Sequence, residues 1–245
     1  MQPIETMQAL FLRQSMQDCW ADYQYVCEHP RAMTWDDLVL TASNEAQAQA
    51  YRLQLKRRVE QGLLPRQTAY HVVADPEGQR VGSGGSTLHV LRQLALGREK
   101  PFESRRILVL HSGGDSQRIP QYSACGKLFS RVPRALPDGR ASTLFDESMI
   151  ALAGIPNRMA GGMLVLSGDV LLLFNTLQID LERSGAACLT VKAPVDVGVN
   201  HGVFLPDDRG FVRRFLHKQS EQTLRALGAV NAQDAIDIDT GAIWL

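Results

Sequence analysis

The chain has 245 residues, 44% of them hydrophobic, which suits one large α/β domain with a full core, or one domain plus a helical segment. Lys+Arg and Asp+Glu each number 26, so no overall field would recruit nucleic acid or an anionic membrane surface. Cys19, Cys27, Cys125 and Cys188 lie far apart without a CxxC pair, which argues against a disulfide framework or a structural zinc site and for a reducing, cytoplasmic setting. The first residues lack the apolar region of a signal peptide, and no apolar run approaches the length of a membrane span.

From Gln8 to Cys27 the pattern is helical and rich in glutamine, with a break at Pro30. This predicts a helical arm over residues 1–33 ahead of a main domain at 34–245. Trp35 to Ala42 reads as a buried strand, and Glu45 to Gln61 as a helix closed by Gly62 and Pro65. Tyr70 to Ala74 is a second strand and Asp75 to Gly78 a turn, with a helix from Thr87 to Leu96 directly behind Gly82-Ser83-Gly84-Gly85. Arg106 to His111 and Met163 to Ser167 are further buried strands, each running straight into glycine and a polar loop. Strands alternating with helices predict a mostly parallel sheet, whose ligands sit beyond the carboxyl ends of the strands. Between Ala187 and Lys218 the runs shorten, and Gly202 to Leu205 with Gly210 to Val212 around Pro206-Asp207-Asp208-Arg209 predict an added hairpin. The stretch Asp239 to Leu245 reads as a strand entering the core, so the natural chain is expected to continue, with a C-terminal domain absent here.

Four segments could carry chemistry. In the first, a strand releases at His111-Ser112 into Gly113-Gly114-Asp115-Ser116-Gln117-Arg118-Ile119-Pro120, followed by Gly126-Lys127. Paired glycines let backbone amides approach phosphate oxygens, and Arg118 and Lys127 add charge at the same anion. A glycine turn with solvated cations is the plainer reading; a Walker A loop is excluded by the spacing and by Leu128 after the lysine. In the second, Gly168-Asp169 places a carboxylate just past a strand, suited to a divalent cation or simply to a turn. In the third, Gly82, Ser83, Gly84, Gly85 and Thr87 precede or open a helix and suit a phosphate or the edge of a base, or else close helix packing. In the fourth, Asn200, His201 and Gly202 precede the hairpin that ends at Lys218; these polar groups suit sugar hydroxyls and a sugar phosphate, although a histidine beside glycine is more often structural.

Taken in order, these segments resemble the nucleotidyltransferases that join a nucleoside triphosphate to a sugar 1-phosphate. Gly113 to Pro120 with Lys127 corresponds to their glycine-rich signature loop, and Gly168-Asp169 to their magnesium-binding strand end. Ser116 in place of a glycine, one residue between Arg118 and Pro120, and Gly126 before the lysine depart from the general pattern. Those departures resemble one branch, the fucose-1-phosphate guanylyltransferases and the matching domain of bifunctional fucokinase/GDP-fucose pyrophosphorylases. The likeness extends over Trp35-Asp36, Leu40-Thr41-Ala42, Arg80 to Leu88, Ser112-Gly113-Gly114 with Ser116-Gln117-Arg118 and Gly126-Lys127, and Asn200 to Val203. It implies a Rossmann-like nucleotidyltransferase sheet flanked by helices and the conversion of GTP and fucose 1-phosphate to GDP-fucose and pyrophosphate with Mg²⁺. It further implies Arg118, Lys127 and Asp169 as catalytic residues, Asp169 as the metal ligand, and a nucleotide held by Gly82, Ser83, Gly84, Gly85, Thr87, Gly113, Gly114, Ser116 and Gln117. The sugar phosphate would meet Asn200, His201, Gly202 and Lys218. Another sugar 1-phosphate, or a non-catalytic sensing domain of a fucokinase-type protein, is the alternative.

Overall fold

The computed structural model describes residues 6–96, 101–112, 122, 126–179, 181 and 185–245. The chain forms two compact units, one ending at Gly185 with Leu245 added, the other spanning Ala186–Trp244.

The first unit opens with α1 (Met7–Glu28), whose Thr6 cap accepts from the Ala9 amide at 3.2 Å. Along this helix Ser15, Cys19, Tyr23 and Val26 recur at helical spacing and are buried. The Tyr23 hydroxyl donates to the Leu63 carbonyl at 2.6 Å, so the helix is packed into the first unit. Then follow β1 (Asp37–Ala42), α2 (Glu45–Glu60), β2 (Ala69–Ala74), α3 (Gly82–Ala95) and β3 (Arg106–His111). A small hairpin, β4 (Arg131–Ala135) with β5 (Ala141–Thr143), leads into α4 (Leu144–Ala151), and β6 (Gly162–Ser167) completes the unit's strands. Among the described residues no helix is long and apolar enough to cross a membrane.

The strands lie in the order β2-β1-β3-β6, all parallel. Every residue of β1 is buried, including Asp37 and Thr41 towards its two ends, and the Leu38-Val39-Leu40 centre is the apolar run a strand buried on both faces carries. Successive side chains leave on opposite faces. Val39, Ile107, Val109 and Met163 pack with Val90 and Leu94 of α3. The alternate residues Leu38, Leu40, Leu108 and Leu110 are equally buried, and Leu38 borders Tyr23 and Val26 of α1 and Met149 of α4. The sheet is thus covered by helices on both faces, as strand-helix alternation predicts.

At the amino ends of the strands, Arg105 and Asp37 form an ion pair that is almost fully buried. The Arg105 Nε donates to Asp37 Oδ2 at 2.8 Å, its Nη2 reaches the same oxygen, and its Nη1 donates to the Leu94 carbonyl at 3.0 Å. His71 Nε2 lies 2.8 Å from Asp37 Oδ1.

The second unit is an antiparallel sheet in the order β7-β10-β8-β9, formed by β7 (Ala187–Pro194), β8 (Gly202–Pro206), β9 (Val212–His217) and β10 (Ala235–Trp244). Short helices α5 (Val195–Gly198) and α6 (Glu221–Ala226) accompany it, and Leu224 packs with Val203, Ile236 and Ile238 in its core. The expected hairpin is β8-β9, but its second strand begins at Val212; Gly210, with φ +83°, belongs to the turn that Asp207 organises through the Arg209 and Phe211 amides.

Asp37→Ala leaves a buried guanidinium without its carboxylate and should cost about 3–5 kcal/mol. Urea unfolding would measure it, and a loss under about 1 kcal/mol would show that water solvates Arg105 readily.

Candidate active site

The four parallel strands end at one level: Ala42 stands beside Ala74, and His111 beside Ser167. A cavity of about 290 Å³ opens there, lined by residues that include Thr41, Asp75, Arg80, Ser86, His111 and Ser112. The glycine-rich segment borders it through Gly82 and Ser83. The helix begins at Gly82, not Thr87, so Gly82, Ser83, Gly84 and Gly85 are the first turn of α3 and Thr87 lies in its second. Their amides are those a helix leaves without intrahelical partners, because an α-helix begins pairing its N–H groups only four residues in.

His111 joins this turn to the end of β1. Its Nε2 lies 2.9 Å from Thr87 Oγ1 and its Nδ1 3.2 Å from Thr41 Oγ1. Thr87 gives its one hydroxyl proton to the Ser83 carbonyl at 2.9 Å, so its oxygen must accept from His111 Nε2–H. That assignment leaves Nδ1 bare to accept from the Thr41 hydroxyl, whose oxygen in turn accepts the Ser112 amide at 3.2 Å. Buried Gln47 adds a second tie: its Oε1 accepts from the Ser43 amide at 2.9 Å and from Ser112 Oγ at 3.3 Å. Ser112, the residue before Gly113, is therefore fixed directly to both β1 and α2. Burial holds the imidazole below its usual pKa of 6.5, against the opposing pull of the Asp75 carboxylate, so it is neutral as the pattern requires.

Lys127 and Asp169 meet at 3.0 Å, each about one-third exposed. Both follow a glycine that the backbone demands. Gly126 has φ +67°, and a Cβ there would fall 1.8 Å from the Tyr51 hydroxyl oxygen. A Cβ on Gly168 would fall 2.7 Å from the His111 carbonyl, which accepts the Gly168 amide at the same distance. Beyond Lys127, Leu128 and Phe129 are buried and anchor the lysine's backbone. Burial pushes the Asp169 carboxyl up, but hydrogen bonds from Ser167 Oγ at 2.7 Å and Lys127 Nζ, with the lysine's charge, hold it below the usual carboxylate range.

Gly113, Gly114, Ser116, Gln117 and Arg118, expected as the phosphate loop, lie outside the described residues. Asn200, His201, Gly202 and Lys218 come together at one end of β8-β9 in the second unit. The Lys218 amide donates to the His201 carbonyl at 3.0 Å, Gly202 pairs with His217, and the side chains of Asn200, His201 and Lys218 are exposed. A Cβ on Gly202 would strike the Phe215 ring at 2.4 Å, so packing alone demands this glycine. Sequence reasoning passed over Asp75, Ser86 and the bridging role of His111; position at a strand end was the one available signal for Asp75 and His111, and Ser86 carried none.

Residues 99–245, more than half of the chain, match the model of the fucose pyrophosphorylase domain. The chain belongs to the fucose pyrophosphorylase family. Among curated relatives of this family's name, a bifunctional fucokinase/GDP-fucose pyrophosphorylase of Arabidopsis thaliana is 31% identical, over 91% of this chain and 24% of its own length. Fucose-1-phosphate guanylyltransferases of Homo sapiens and Mus musculus are 32% and 31% identical, over 82% and 81% of this chain and 35% of theirs. The chain thus spans little more than a third of these relatives at most. The fucose pyrophosphorylase match takes in Lys127, Asp169 and the Asn200–Lys218 end of the hairpin, while the α3 turn precedes it.

Because His111 is neutral in the fold, the unfolded chain takes up a proton first as pH falls below about 6.5. Stability should therefore decline from pH 6.5 downward, until the folded imidazole protonates too. His111→Gln should show a shallower decline than the natural protein when urea unfolding is compared at pH 7.5 and 5.5. Identical declines would place the pH sensitivity elsewhere.

Proposed function

We propose that this chain carries the nucleotide site of a guanylyltransferase that joins GTP and fucose 1-phosphate to give GDP-fucose and pyrophosphate. The carrying observation is the Lys127–Asp169 pair at the carboxyl ends of the parallel strands, in a member of the fucose pyrophosphorylase family. The relatives named above as fucose-1-phosphate guanylyltransferases support the sugar and the base.

In this reading a phosphate oxygen of fucose 1-phosphate attacks the α-phosphorus of GTP in line, and the bond from that phosphorus to the β-phosphate oxygen breaks to release pyrophosphate. The nucleophile is already anionic at neutral pH, so no general base is required. What remains is to hold two anions together and to stabilise the charge that gathers on the leaving group. Lys127 supplies a positive charge for the triphosphate, joined by Arg118 and the amides of Gly113 and Gly114 in the signature loop. Gly82 to Gly85, Thr87, Ser116 and Gln117 complete the nucleotide contacts, and Asn200, His201, Gly202 and Lys218 receive the sugar phosphate.

Asp169 suits a magnesium ion. No cluster of three metal-ligating side chains occurs among the described residues. A single ionised, part-exposed carboxylate is nonetheless the donor set that Mg²⁺ uses when phosphate oxygens and water supply the rest. When bound, the ion would screen the repulsion between the two phosphates. We place the protein in the cytoplasm, a reducing compartment, a reading supported by Cys19, Cys27 and Cys188 being free thiols.

Pyrophosphate release from GTP, ATP and UTP, each with fucose 1-phosphate and Mg²⁺, tests this in the natural protein that contains the chain. GTP-selective release is expected, and no release from any nucleotide would overturn the assignment. Lys127→Ala should then lower kcat/KM by roughly 10²-fold or more with an unchanged unfolding midpoint. A near-native rate would remove the lysine from the reaction.

A further inference from the structure

The cavity at the ends of β1, β2 and β3 holds a carboxylate for which the phosphate chemistry has no use. Asp75 follows β2 directly and lines that cavity. Its Oδ1 accepts the hydroxyl of buried Ser86 at 2.6 Å, and among the described residues this is the side chain's only hydrogen-bond partner. Oδ2 and the second lone pair of Oδ1 remain available. Around it stand hydroxyls of Thr41, Ser43, Ser83 and Ser112 and the neutral imidazole of His111, while Arg80, also at the cavity, is already engaged by another group.

Resting on the guanylyltransferase reading, we propose that Asp75 selects the base by accepting the N1–H and the exocyclic amino N–H of guanine. A carboxylate with open lone pairs repels phosphate, so the triphosphate belongs near Lys127 and the uncharged end of the nucleotide belongs beside Asp75. Guanine alone among the common bases presents two parallel donors on one edge, matching the two oxygens of a carboxylate. Adenine places an acceptor at N1. Uracil flanks its single N–H with carbonyls that a carboxylate would repel. The structural duty of Asp75 toward Ser86 needs one acceptor oxygen only, which an asparagine retains.

The test is equilibrium binding of GTP, ITP, XTP and ATP to the natural protein and to Asp75→Asn. ITP lacks the exocyclic amino group, and XTP carries a carbonyl in its place. The natural protein should bind ITP roughly 10- to 100-fold more weakly than GTP, the worth of one hydrogen bond to a charged group. Asp75→Asn should lose most of that preference and gain affinity for XTP, because an amide accepts from N1–H and donates to the new carbonyl. An unchanged GTP:XTP ratio in Asp75→Asn would overturn the proposal. So would an equal loss of GTP and ATP binding, the signature of a carboxylate on the ribose hydroxyls that both nucleotides share. Failure of the wider reading looks different, as absent or base-indifferent pyrophosphate release from the natural protein. A thermal unfolding curve for Asp75→Asn that matches the natural protein excludes misfolding as the cause of any change.

Discussion

Arg105 and Asp37 meet at the amino ends of β3 and β1 with almost no access to water, and the arrangement of the first unit hangs on that contact. Burying two charges costs several kcal/mol each unless geometry and further hydrogen bonds repay it. Here the guanidinium is satisfied by one carboxylate and by the last turn of α3 through the Leu94 carbonyl, while His71 of β2 takes the other carboxylate oxygen. One pair therefore sets β1, β2, β3 and α3 relative to one another. An apolar substitute could match its stability but not its direction, since a methyl group tolerates many registers and a guanidinium aiming two N–H groups at one carboxylate oxygen tolerates few.

Register fixed at one end of parallel strands is delivered at the other. With Asp37 opposite Ile107 and Ala69, the carboxyl ends bring Thr41, Val73 and His111 to one level. There a second set of directional bonds takes over. The chain from the Ser112 amide through Thr41, His111 and Thr87 to the Ser83 carbonyl joins three elements, and each member has one role that its neighbours dictate. A protonated His111 would present two donors and force the Thr41 hydroxyl to turn away. Burial of the ring is thus what keeps Ser112 in register with the first turn of α3.

Much of this fold is legible in the sequence. Arg106 to His111 reads as a strand to the residue because its centre, Ile107 to Leu110, is apolar and buried on both faces, and Glu45 to Glu60 is bounded by an Asn44 cap and a glycine. The start of α3 is misread for a physical reason. Glycine has low helix propensity, so Gly82-Ser83-Gly84-Gly85 looks like a loop, whereas tertiary packing of Ser86, Val90 and Leu94 pulls the helix back over it. The β4-β5 hairpin escapes notice because its strands are short and exposed. In the site, Lys127 and Asp169 are legible through their preceding glycines, since the demand for φ +67° at Gly126 and for close approach at Gly168 is written as residue type. Asp75, Ser86 and the ties of His111 are not, because their partners come from other strands and only the folded sheet makes them neighbours.

The same distinction explains how the charges at the strand ends divide. Lys127 is screened by Asp169 in the unliganded protein, and Asp75 faces neutral hydroxyls. On the proposed reading a phosphate chain would favour Lys127 over the hydroxyls and carboxylate around Asp75, since Coulomb interaction with a cation favours the higher charge and the carboxylate opposes it. In that reading, a nucleotide entering this end of the sheet would be sorted before any contact is specific, phosphates toward the lysine and base toward the aspartate. Specificity for the base then costs the protein no extra ordering, because Ser86 already holds the Asp75 carboxylate in place.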